Sequence, residues 1–367
     1  MKALNLKYDN LYYIGGVVRD EILGLDSFDV DLTYEGNAIE FCKSLEAKRI
    51  GKILQINDDF GTVRMLINGI ETDIASTRDE IYERKGHLPT VSDIGCSLKK
   101  DVLRRDFTVN AMAKSVKTGE IIDYTGGLKD IKQKKLKILH DKSFIDDPTR
   151  IIRGLKFAVR FGFELDEGTR SLQEEYLKTV DYDMSYKRLK KELVETFNLN
   201  SQKAFEIFKK EKMYKLLTPE VLDFPEYNIE DLVKKYPVEN VWVVYLGWIK
   251  DIVKLPLTKE EKKIVDDYNS LLNQDIKDDD YSVFKTFRDK SDESVLLYVI
   301  KTGMNKYLKY FDLKNIRLQI NGEDLIKMGI EPCKEYSVCF DYVLGEKFKS
   351  PDLTREEELD LAKKFFM

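Results

Sequence analysis

The sequence predicts an α+β protein in which a small mixed-sheet head is followed by an all-helical remainder. Two observations predict this fold class. In residues 1 to about 115, short apolar runs alternate with glycine turns and helical stretches. From about Ser201 onward, apolar residues recur every three or four positions in segments separated by prolines. The length of 367 residues suggests about two to four domains rather than one.

Composition excludes several classes of protein. With 43% hydrophobic and 35% charged residues, the chain is expected to be globular and soluble. It has neither a run of about 18 apolar residues nor an apolar N-terminal signal, so we expect a cytoplasmic protein without a membrane partner. The net charge of -5 argues against indiscriminate coating of nucleic acid but leaves room for a local basic groove. Four scattered cysteines predict neither a disulfide nor a zinc site: Cys42, Cys96, Cys333 and Cys339.

Five candidate strands occur in the head. They are residues 11–14, 30–33, 53–56, 61–67 and 70–75. Asn68 and Gly69 separate the last two apolar runs and predict a hairpin turn. Asp73 lies near the end of the second hairpin strand. Its carboxylate either joins Asp29 and Asp31 in one acidic site or merely caps the strand and contacts solvent.

An acidic pair stands on the second candidate strand. Asp29 and Asp31 occupy positions i and i+2, so their carboxylates point to the same face. Gly15 and Gly16 end the preceding strand and leave main-chain N–H groups accessible to a phosphate. Mg²⁺ prefers oxygen ligands and keeps positions for substrate phosphates. The pattern indicates a Mg²⁺ site for nucleotidyl transfer at Asp29 and Asp31, whereas an isolated Asp-x-Asp would be ordinary turn chemistry.

Residues 76–93 show no clean periodicity and contain Gly86 and Pro89. We expect a loop here that is long enough to be functional or mobile.

Residues 104–113, Arg-Arg-Asp-Phe-Thr-Val-Asn-Ala-Met-Ala, carry the most specific pattern in the chain. Adjacent arginines suit bidentate phosphate contacts, and Asn110 can hydrogen-bond a ribose hydroxyl. This string resembles the second motif of the nucleotidyltransferase family formed by class II tRNA nucleotidyltransferases and bacterial poly(A) polymerases. The preceding pattern resembles the first motif of the same family, with the residues Gly15, Gly16, Arg19, Asp20, Asp29 and Asp31.

Three later segments resemble further motifs of this family. Residues 123–130 resemble a hinge motif, although a plain tight turn explains Gly126 and Gly127 equally well. Residues 146–161 open a strong helix, and the resemblance implies that Asp147 and Arg150 bind the Watson–Crick edges of CTP or ATP. The chain departs from the family pattern at Asp146, where Glu is usual, and at Lys156, where Arg is frequent.

The fifth motif and the tail are matched more loosely. Residues 185–193 place Arg188 and Glu192 at i and i+4, and we interpret them as structural support for the helix that carries Arg150. Residues 320–332 and the acidic final helix resemble the tail of bacterial family members.

The resemblance implies a catalytic nucleotidyltransferase head at 1–139, a helical neck for base recognition at 140–200, a helical body at 201–275 and a tRNA-binding tail at 276–367. It implies addition of CCA to the 3′ end of tRNA from CTP and ATP, with Mg²⁺ as cofactor and the acceptor and T arms of tRNA as the bound surface. No obligate protein partner is implied. Asp29, Asp31 and Asp73 would be catalytic, the first two as metal ligands. The nucleotide-binding set would be Gly15, Gly16, Arg19, Arg105, Asp106, Asn110, Asp147, Arg150, Arg153 and Lys156.

Four alternatives share parts of this pattern. A CC-adding enzyme should lack the loop at 76–93, which is present here. An A-adding enzyme uses the same head and stays open. A poly(A) polymerase should carry a basic C-terminal extension, whereas this chain ends soon after an acidic helix. A catalytically silent RNA-binding module is disfavoured because Asp29 and Asp31 are intact.

Overall fold

The computed structural model describes residues 4, 6–26 and 30–367 and falls into two compact units. The first comprises Met1–Val221 and Lys254–Pro256, and the second comprises Leu222–Val253 and Leu257–Met367. The first unit therefore includes the predicted head and neck and the beginning of the predicted body. The finer division at residues 139, 200 and 275 stays a prediction. Within the described ranges, none of the helices has the length and apolar character needed to cross a bilayer.

The first unit contains all the strands of the described chain. They are β1 (Leu11–Ile14), β2 (Val30–Tyr34), β3 (Gly51–Asn57), β4 (Thr62–Ile67), β5 (Ile70–Ser76), β6 (Arg78–Ile81), β7 (Thr90–Ile94), β8 (Met112–Ser115), β9 (Ile121–Asp123), β10 (Lys135–Leu136) and β11 (Glu164–Leu165). A seven-stranded mixed sheet has the order β3-β4-β5-β2-β1-β8-β9. Within it, β2 and β5 are parallel, and the other neighbours pair antiparallel. Two small sheets, β6-β7 and β10-β11, lie beside it.

The five predicted strands are confirmed with shifts of one or two residues at their ends. Alternation explains β4, in which Val63, Met65 and Ile67 are buried while the residues between them face outward. The predicted hairpin between β4 and β5 is also confirmed. Asn68 and Gly69 have φ values of 52° and 77°, as a tight two-residue turn between twisted strands requires.

The prediction of an irregular loop at residues 76–93 is wrong for two stretches, because β6 and β7 pair antiparallel there. Their side chains do not alternate between buried and exposed. The small sheet is held instead by ion pairs: Arg78 and Arg104 both bind Glu80 at 2.8 Å. These two strands therefore lack the apolar periodicity that would predict them from the sequence.

Strands β8 and β9 also escaped prediction, and β8 matters for the site. It pairs with β1, with Ala113 opposite Ile14. The Arg104–Ala113 string therefore ends beside the Gly15-Gly16 turn that follows β1. Gly15 N donates a hydrogen bond to the Met112 carbonyl at 3.2 Å, which extends this contact into the turn.

Nine α-helices complete the first unit. They are α1 (Gly16–Ile22), α2 (Ala38–Ala47), α3 (Leu98–Leu103), α4 (Gly127–Lys132), α5 (Ser143–Asp146), α6 (Thr149–Phe161), α7 (Glu167–Lys178), α8 (Tyr186–Leu199) and α9 (Ser201–Lys210) among the described residues. Helix α6 packs against α8 and α9. Phe107, which is fully buried, contacts α6 edge-to-face through Phe157, with ring centroids 5.8 Å apart.

The second unit is helical over its described length, and this confirms the predicted all-α remainder. Its α-helices are α10 (Ile229–Lys235), α11 (Val241–Leu246), α12 (Lys259–Leu272), α13 (Asp280–Phe287), α14 (Asp292–Thr302), α15 (Tyr310–Leu313), α16 (Gly322–Lys327), α17 (Glu335–Lys349) and α18 (Arg355–Phe366). The prolines expected to break helices, at positions 219, 225, 237 and 256, all lie outside them. Helix α14 is buried from Ser294 to Ile300 and forms the centre of the unit against α11 and α12.

The Gly126-Gly127 segment is a tightly packed turn. The Asp123 carboxylate accepts hydrogen bonds from four successive backbone N–H groups, those of residues 125–128, at 2.8 to 3.1 Å. Gly126 has φ 84°, and a Cβ on Gly127 would lie only 2.3 Å from the Thr108 carbonyl oxygen. These contacts favour the plain turn over the hinge among the two interpretations of this motif.

We predict that Gly127→Ala lowers the free energy of unfolding by about 3 kcal/mol, because the added methyl group meets backbone that cannot retreat as a side chain would. Urea unfolding followed by far-ultraviolet circular dichroism measures the loss. Gly168→Ala is the matched control, since a Cβ there, also in the first turn of a helix, meets nothing closer than 4.0 Å. It should be neutral or stabilising by up to about 1 kcal/mol. Equal effects of the two substitutions would contradict the packing argument.

Candidate active site

Most of the sequence-predicted site residues line one cavity of the first unit, with a volume of about 520 Å³. We call it cavity I. The predicted residues that line it are Gly15, Gly16, Arg19, Asp31, Arg105, Asp106, Asn110, Asp147, Arg150, Arg153 and Lys156. Asp73 instead lines a neighbouring cavity of about 440 Å³, called cavity II. Asp29 lies outside the described residues. Cavity I has the size usual for small-molecule sites.

The turn after β1 requires glycine at its first position. Gly15 has φ 72°, in the left-handed region that residues with a Cβ rarely adopt. A Cβ on Gly15 would lie 2.8 Å from Nη1 of Arg105. The missing side chain therefore lets the Arg105 guanidinium lie against the turn, and Gly16 begins α1 immediately afterwards.

Arg19 joins α1 to the Thr108–Asn110 turn from a buried position. Its Nε and Nη2 donate to Asp20 Oδ1 at 2.8 and 2.6 Å, and its Nη1 donates to Asn110 Oδ1 at 2.5 Å. The guanidinium also lies 4.6 Å from the centroid of the Phe161 ring. Burial lowers the pKa of Arg19, and Asp20 opposes that effect. Arg19 thus holds Asn110 in place at the wall of cavity I.

A chain of alternating charges runs from Asp106 to α8. Arg153 donates to Asp106 Oδ2 through Nε at 2.8 Å and Nη2 at 2.6 Å, and to Glu192 through Nη1 at 3.2 Å. Glu192 also accepts from Lys156 at 2.6 Å. Burial alone would raise the pKa of Asp106, but Arg153 and the hydrogen bond from Asn110 lower it to about 2. Asp106 opposes the effect of burial on its partner and raises the pKa of Arg153.

Asp147 lies just before α6 and Arg150 lies in its first turn, and both side chains are buried. Oδ1 of Asp147 accepts from the Thr149 N–H at 3.1 Å and from the Thr149 hydroxyl at 2.5 Å, while Oδ2 accepts from Arg188 at 2.5 Å. A carboxylate can accept about four hydrogen bonds, so about one position is left.

The guanidinium of Arg150 is fixed from three sides. Its Nη1 donates to the Ser143 hydroxyl at 2.6 Å, and its Nη2 donates to the Tyr82 hydroxyl and the Arg104 carbonyl, both at 3.1 Å. An arginine has five N–H donors, so these contacts leave capacity for a ligand. Arg150 and Asp147 together can present a donor beside an acceptor to a flat heterocycle.

Arg104 and Arg105 are held by an acid that the sequence analysis did not single out. Asp101 is fully buried and accepts from Arg104 at 2.7 Å and Arg105 at 3.3 Å. Burial would raise the pKa of Asp101, but the two arginines bring it below its ordinary value. Within the described chain, Nε of Arg105 is buried without a hydrogen-bond partner. The i, i+3 and i, i+4 spacing from Asp101 along α3 was the available signal.

The carboxylates of the sheet lie side by side on neighbouring strands. Asp31 of β2 pairs in register with Asp73 of β5, which in turn pairs with Arg64 of β4. Arg64 binds both carboxylate oxygens of Asp73, at 2.8 and 2.9 Å. The oxygens of Asp31 are donors that suit a hard divalent cation. The described residues contain no group of three or more His, Cys, Asp or Glu placed to hold a metal ion, and the predicted two-carboxylate site includes Asp29, which lies beyond them.

Residues 82–89 connect β6 to β7 and contact the segment before α6 and the one before α8. Gly86 N donates to the Asp146 carbonyl, and Ser185 N donates to the Gly86 carbonyl, both at 2.9 Å. Arg84 and His87 bind the Asp183 carboxylate, and Arg188 donates to the His87 carbonyl at 3.3 Å. Only the side chain of Tyr82 in this stretch reaches Arg150 directly. The sequence analysis missed Tyr82, because a lone tyrosine in an aperiodic segment carries no signal.

Comparison with known proteins matches residues 11–137 to the Poly A polymerase head domain. Three curated relatives are A-adding tRNA nucleotidyltransferases. The enzyme of Aquifex aeolicus is 39% identical over 63% of this chain and 28% of its own length. That of Geobacter sulfurreducens is 30% identical over 96% of this chain and 44% of its own length. That of Halalkalibacterium halodurans is 28% identical over 97% and 89%. The chain thus spans less than half of the first two relatives.

Solved structures resemble the chain over nearly its whole length. An apo form of a CCA-adding enzyme has a TM-score of 0.78 and 28% identity, and the match covers 97% of this chain and 91% of that one. The Thermotoga maritima CCA-adding enzyme complexed with tRNA has a TM-score of 0.73 and 26% identity over 97% and 91%. A CCA-adding enzyme complexed with CTP has a TM-score of 0.76 and 26% identity over 97% and 90%.

We predict that Asp106→Asn lowers the free energy of unfolding of the first unit by about 2 kcal/mol at pH 7, because the pKa of Asp106 falls from 3.8 to about 2 on folding. A lowered pKa stabilises the folded state above the unfolded value, so the deficit should shrink as the pH falls from about 4 to about 2. Urea unfolding followed by circular dichroism measures it at each pH.

Two controls separate this effect from general destabilisation. Asp9→Asn makes the same change at an exposed ion pair with Lys117 and should leave stability unchanged. Both tryptophans, Trp242 and Trp248, lie in the second unit, so their fluorescence follows a unit that the substitution does not touch. A deficit of the same size at pH 7 and pH 2.5 would contradict the assigned role of Asp106.

Proposed function

Because this chain belongs to the tRNA nucleotidyltransferase family, we propose that it adds CCA to the 3′ end of tRNA from CTP and ATP without a nucleic-acid template. One observation carries the proposal: cavity I brings the donor and acceptor pair of Arg150 and Asp147 together with several cations and with Asp31. A flat base, a triphosphate and a reacting phosphorus each find matching chemistry in one cavity.

The pair at the beginning of α6 would select the base. Cytosine and adenine both present an exocyclic amine beside a ring nitrogen that accepts, so the amine can donate to Asp147 while Arg150 donates to the ring. Uracil and guanine present a carbonyl beside a ring N–H, which places acceptor against acceptor and donor against donor. Each polar group left unpaired in this way costs about 1 to 3 kcal/mol. The remaining acceptor position on Asp147 is sufficient for one amine.

The cations of cavity I would bind the triphosphate. Arg105 and the Gly16 N–H lie at the N-terminal end of α1, where a phosphate gains from both charge and a backbone donor, whereas the Gly15 N–H already donates to the Met112 carbonyl. Arg153 and Lys156 would neutralise further phosphate oxygens, although Glu192 offsets part of their charge. Asn110 would contact the ribose, held by Arg19 and Asp106. The triphosphate-binding role of Arg19 itself stays a prediction, because its guanidinium hydrogen-bonds to Asp20 and Asn110.

The reaction is an in-line displacement at the α-phosphorus. The 3′ oxygen of the RNA forms a bond to this phosphorus, the bond to the bridging oxygen of the β-phosphate breaks, pyrophosphate leaves and the hydroxyl proton is released to solvent. Asp29 and Asp31 would hold Mg²⁺, which supplies charge neutralisation and activation of the hydroxyl when bound. The chain's own contribution is positioning and electrostatic stabilisation, with Asp73 as an additional carboxylate beside Asp31.

Addition of the terminal A alone is the second candidate. It is favoured by the names of three curated relatives, which are called A-adding, whereas the relative from Bacillus pumilus is called a CCA-adding enzyme. The Asp147 and Arg150 pair suits adenine as well as cytosine, so base chemistry does not separate the candidates.

We predict that the purified chain extends tRNA ending at the discriminator base, at C and at CC, using CTP for the first two additions and ATP for the last. The measurement is a sequencing-gel assay of three tRNAs with CTP and ATP supplied separately. Asp31→Ala, which removes a carboxylate at the centre of the site, should abolish all addition. Extension of the CC-ended tRNA alone would replace CCA addition by A addition, long A tails on unrelated RNA would indicate a poly(A) polymerase, and no addition would refute the proposal.

We further predict that Asp147→Ala lowers the preference for CTP over UTP and for ATP over GTP by at least about tenfold, the effect of one lost hydrogen bond. The ratio of kcat/KM values for each pair of nucleotides measures this preference. Asp146→Ala is the matched control. It removes the same charge at the neighbouring position, and the Asp146 side chain does not line cavity I. Unchanged selectivity in a folded Asp147→Ala protein would exclude Asp147 from base selection.

A further inference from the structure

Cavity II adjoins cavity I and shares Asp31 with it. It lies over the face of the large sheet, where Gln55 of β3, Arg64 of β4 and Asp73 of β5 line it beside Asp31 of β2. Gln55 and Asn57 are exposed amide side chains that can both donate and accept hydrogen bonds. The cavity is therefore polar and open, and its one shared carboxylate is the residue at the centre of the proposed chemistry.

The two cavities differ in which functional groups they contain. Asp147 and Arg150, the proposed base-selecting pair, line cavity I and not cavity II. The same holds for Arg153, Lys156 and Arg188. Cavity II has its own cation in Arg64, and it shares Arg78, Arg104 and Arg105 with cavity I. Nothing in cavity II duplicates the selection of a base, so it is not a second site for the same nucleotide.

In-line displacement constrains the direction from which the acceptor hydroxyl reaches the α-phosphorus of the nucleotide. The entering oxygen and the leaving pyrophosphate lie roughly in line through that atom. If the base and triphosphate occupy cavity I, with its cluster of cations, the acceptor hydroxyl must approach Asp31 from the other direction. Cavity II is lined by Asp31 and does not contain the proposed base-selecting pair, so it is the space that we assign to the acceptor hydroxyl. This step rests on the proposed function, because it takes the nucleotide position as given.

We propose that cavity II binds the 3′-terminal nucleotide of the acceptor RNA, with Arg64 contacting its last phosphodiester. Arg64 is suited to this contact because its side chain is 49% exposed and a guanidinium binds phosphate oxygens through paired N–H groups. The Asp73 carboxylate accepts hydrogen bonds from Nε and Nη2 of Arg64, and this bidentate pair orients the Arg64 guanidinium. Asp73 is then a positioning residue for the RNA in addition to being a neighbour of Asp31.

The amide side chains extend the same site. Gln55 and Asn57 lie on β3, the edge strand of the large sheet, beyond Arg64 as counted from Asp31. Amide groups in this position can hydrogen-bond to the ribose hydroxyls of an RNA strand that runs across the sheet towards Asp31. The chemical class of ligand is a single-stranded RNA end rather than a free mononucleotide, because the groups are spread along one line and include one cation suited to one phosphodiester.

The test is a cycle that changes the protein and the RNA in turn. The RNA is a CC-ended tRNA in which the last internucleotide linkage is either an ordinary phosphodiester or an uncharged methylphosphonate, introduced by ligating a synthetic 3′ strand. The proteins are the full-length wild type and Arg64→Ala, and the measurement is ATP-dependent extension. Because the Arg64 and Asp73 pair is half exposed, it contributes little to stability and the variant should fold.

In the wild type, the methylphosphonate should raise the KM for tRNA about tenfold, as loss of one charge-assisted contact requires. Arg64→Ala should raise the KM for the ordinary tRNA by a similar factor, and the methylphosphonate should then have no further effect. The KM for ATP should stay within about twofold in all four combinations. Lys52→Ala, which removes a positive charge from β3 outside both cavities, should behave as wild type.

Arg64→Lys, which keeps the charge but loses the planar fork, should fall between wild type and Arg64→Ala. An equal methylphosphonate effect in both proteins, or a raised KM for ATP in Arg64→Ala, would overturn the assignment of cavity II. Wild-type extension together with either outcome would refute only this assignment. Failure of the wild type to extend any tRNA would refute the proposed function itself.

Discussion

The ion pair between the buried Asp106 carboxylate and the partly exposed Arg153 guanidinium is the contact on which the site depends. Asp106 belongs to the segment between α3 and β8, whereas Arg153 belongs to α6, so the pair joins the sheet to the helix that carries Arg150. Burying the Asp106 charge is costly unless the carboxylate is paired and hydrogen-bonded. Asn110 and the Phe107 N–H donate further hydrogen bonds to Asp106, and Glu192 accepts a further hydrogen bond from Arg153. The full set of partners therefore requires the sheet, α6 and α8 together, and this places the proposed base-selecting residues in the same cavity as Asp31.

Much of the first unit was predictable because its signals are local. The alternation in β4 and the Asn68-Gly69 turn each specify structure within a few residues, and both were recovered. The site residues were found through motifs, and all of them that are described, except Asp73, line cavity I. The structure explains why the motifs are spaced so widely: β8 brings the Arg104–Ala113 string to the Gly15 turn, and α6 brings Arg150 to the other wall.

The features that escaped prediction depend on contacts between distant or aperiodic segments. The β6-β7 sheet is stabilised by Glu80 bridging Arg78 and Arg104, an arrangement that leaves no apolar period in the sequence. Tyr82 reaches Arg150 across 68 positions. The Arg64 and Asp73 pair follows from the register of the hairpin, in which Ile67 pairs with Ile70 across the Asn68-Gly69 turn, but its position beside Asp31 depends on the parallel pairing of β5 with β2. Each of these required the fold before its meaning could be seen.

The hydrogen-bond arrangement around Asp147 has a wider consequence. With Thr149 and Arg188 occupying about three of its acceptor positions, the carboxylate has about one position left for a further donor. Under the proposed function, that donor is the exocyclic amine of cytosine or adenine. C5 of cytosine and C8 of adenine lie away from the Watson–Crick edge that carries this amine. Asp147 would therefore select nucleotides through one edge of the base alone. A nucleotide modified at C5 or C8 that keeps its amine would still bind Asp147 and would be added to the tRNA end.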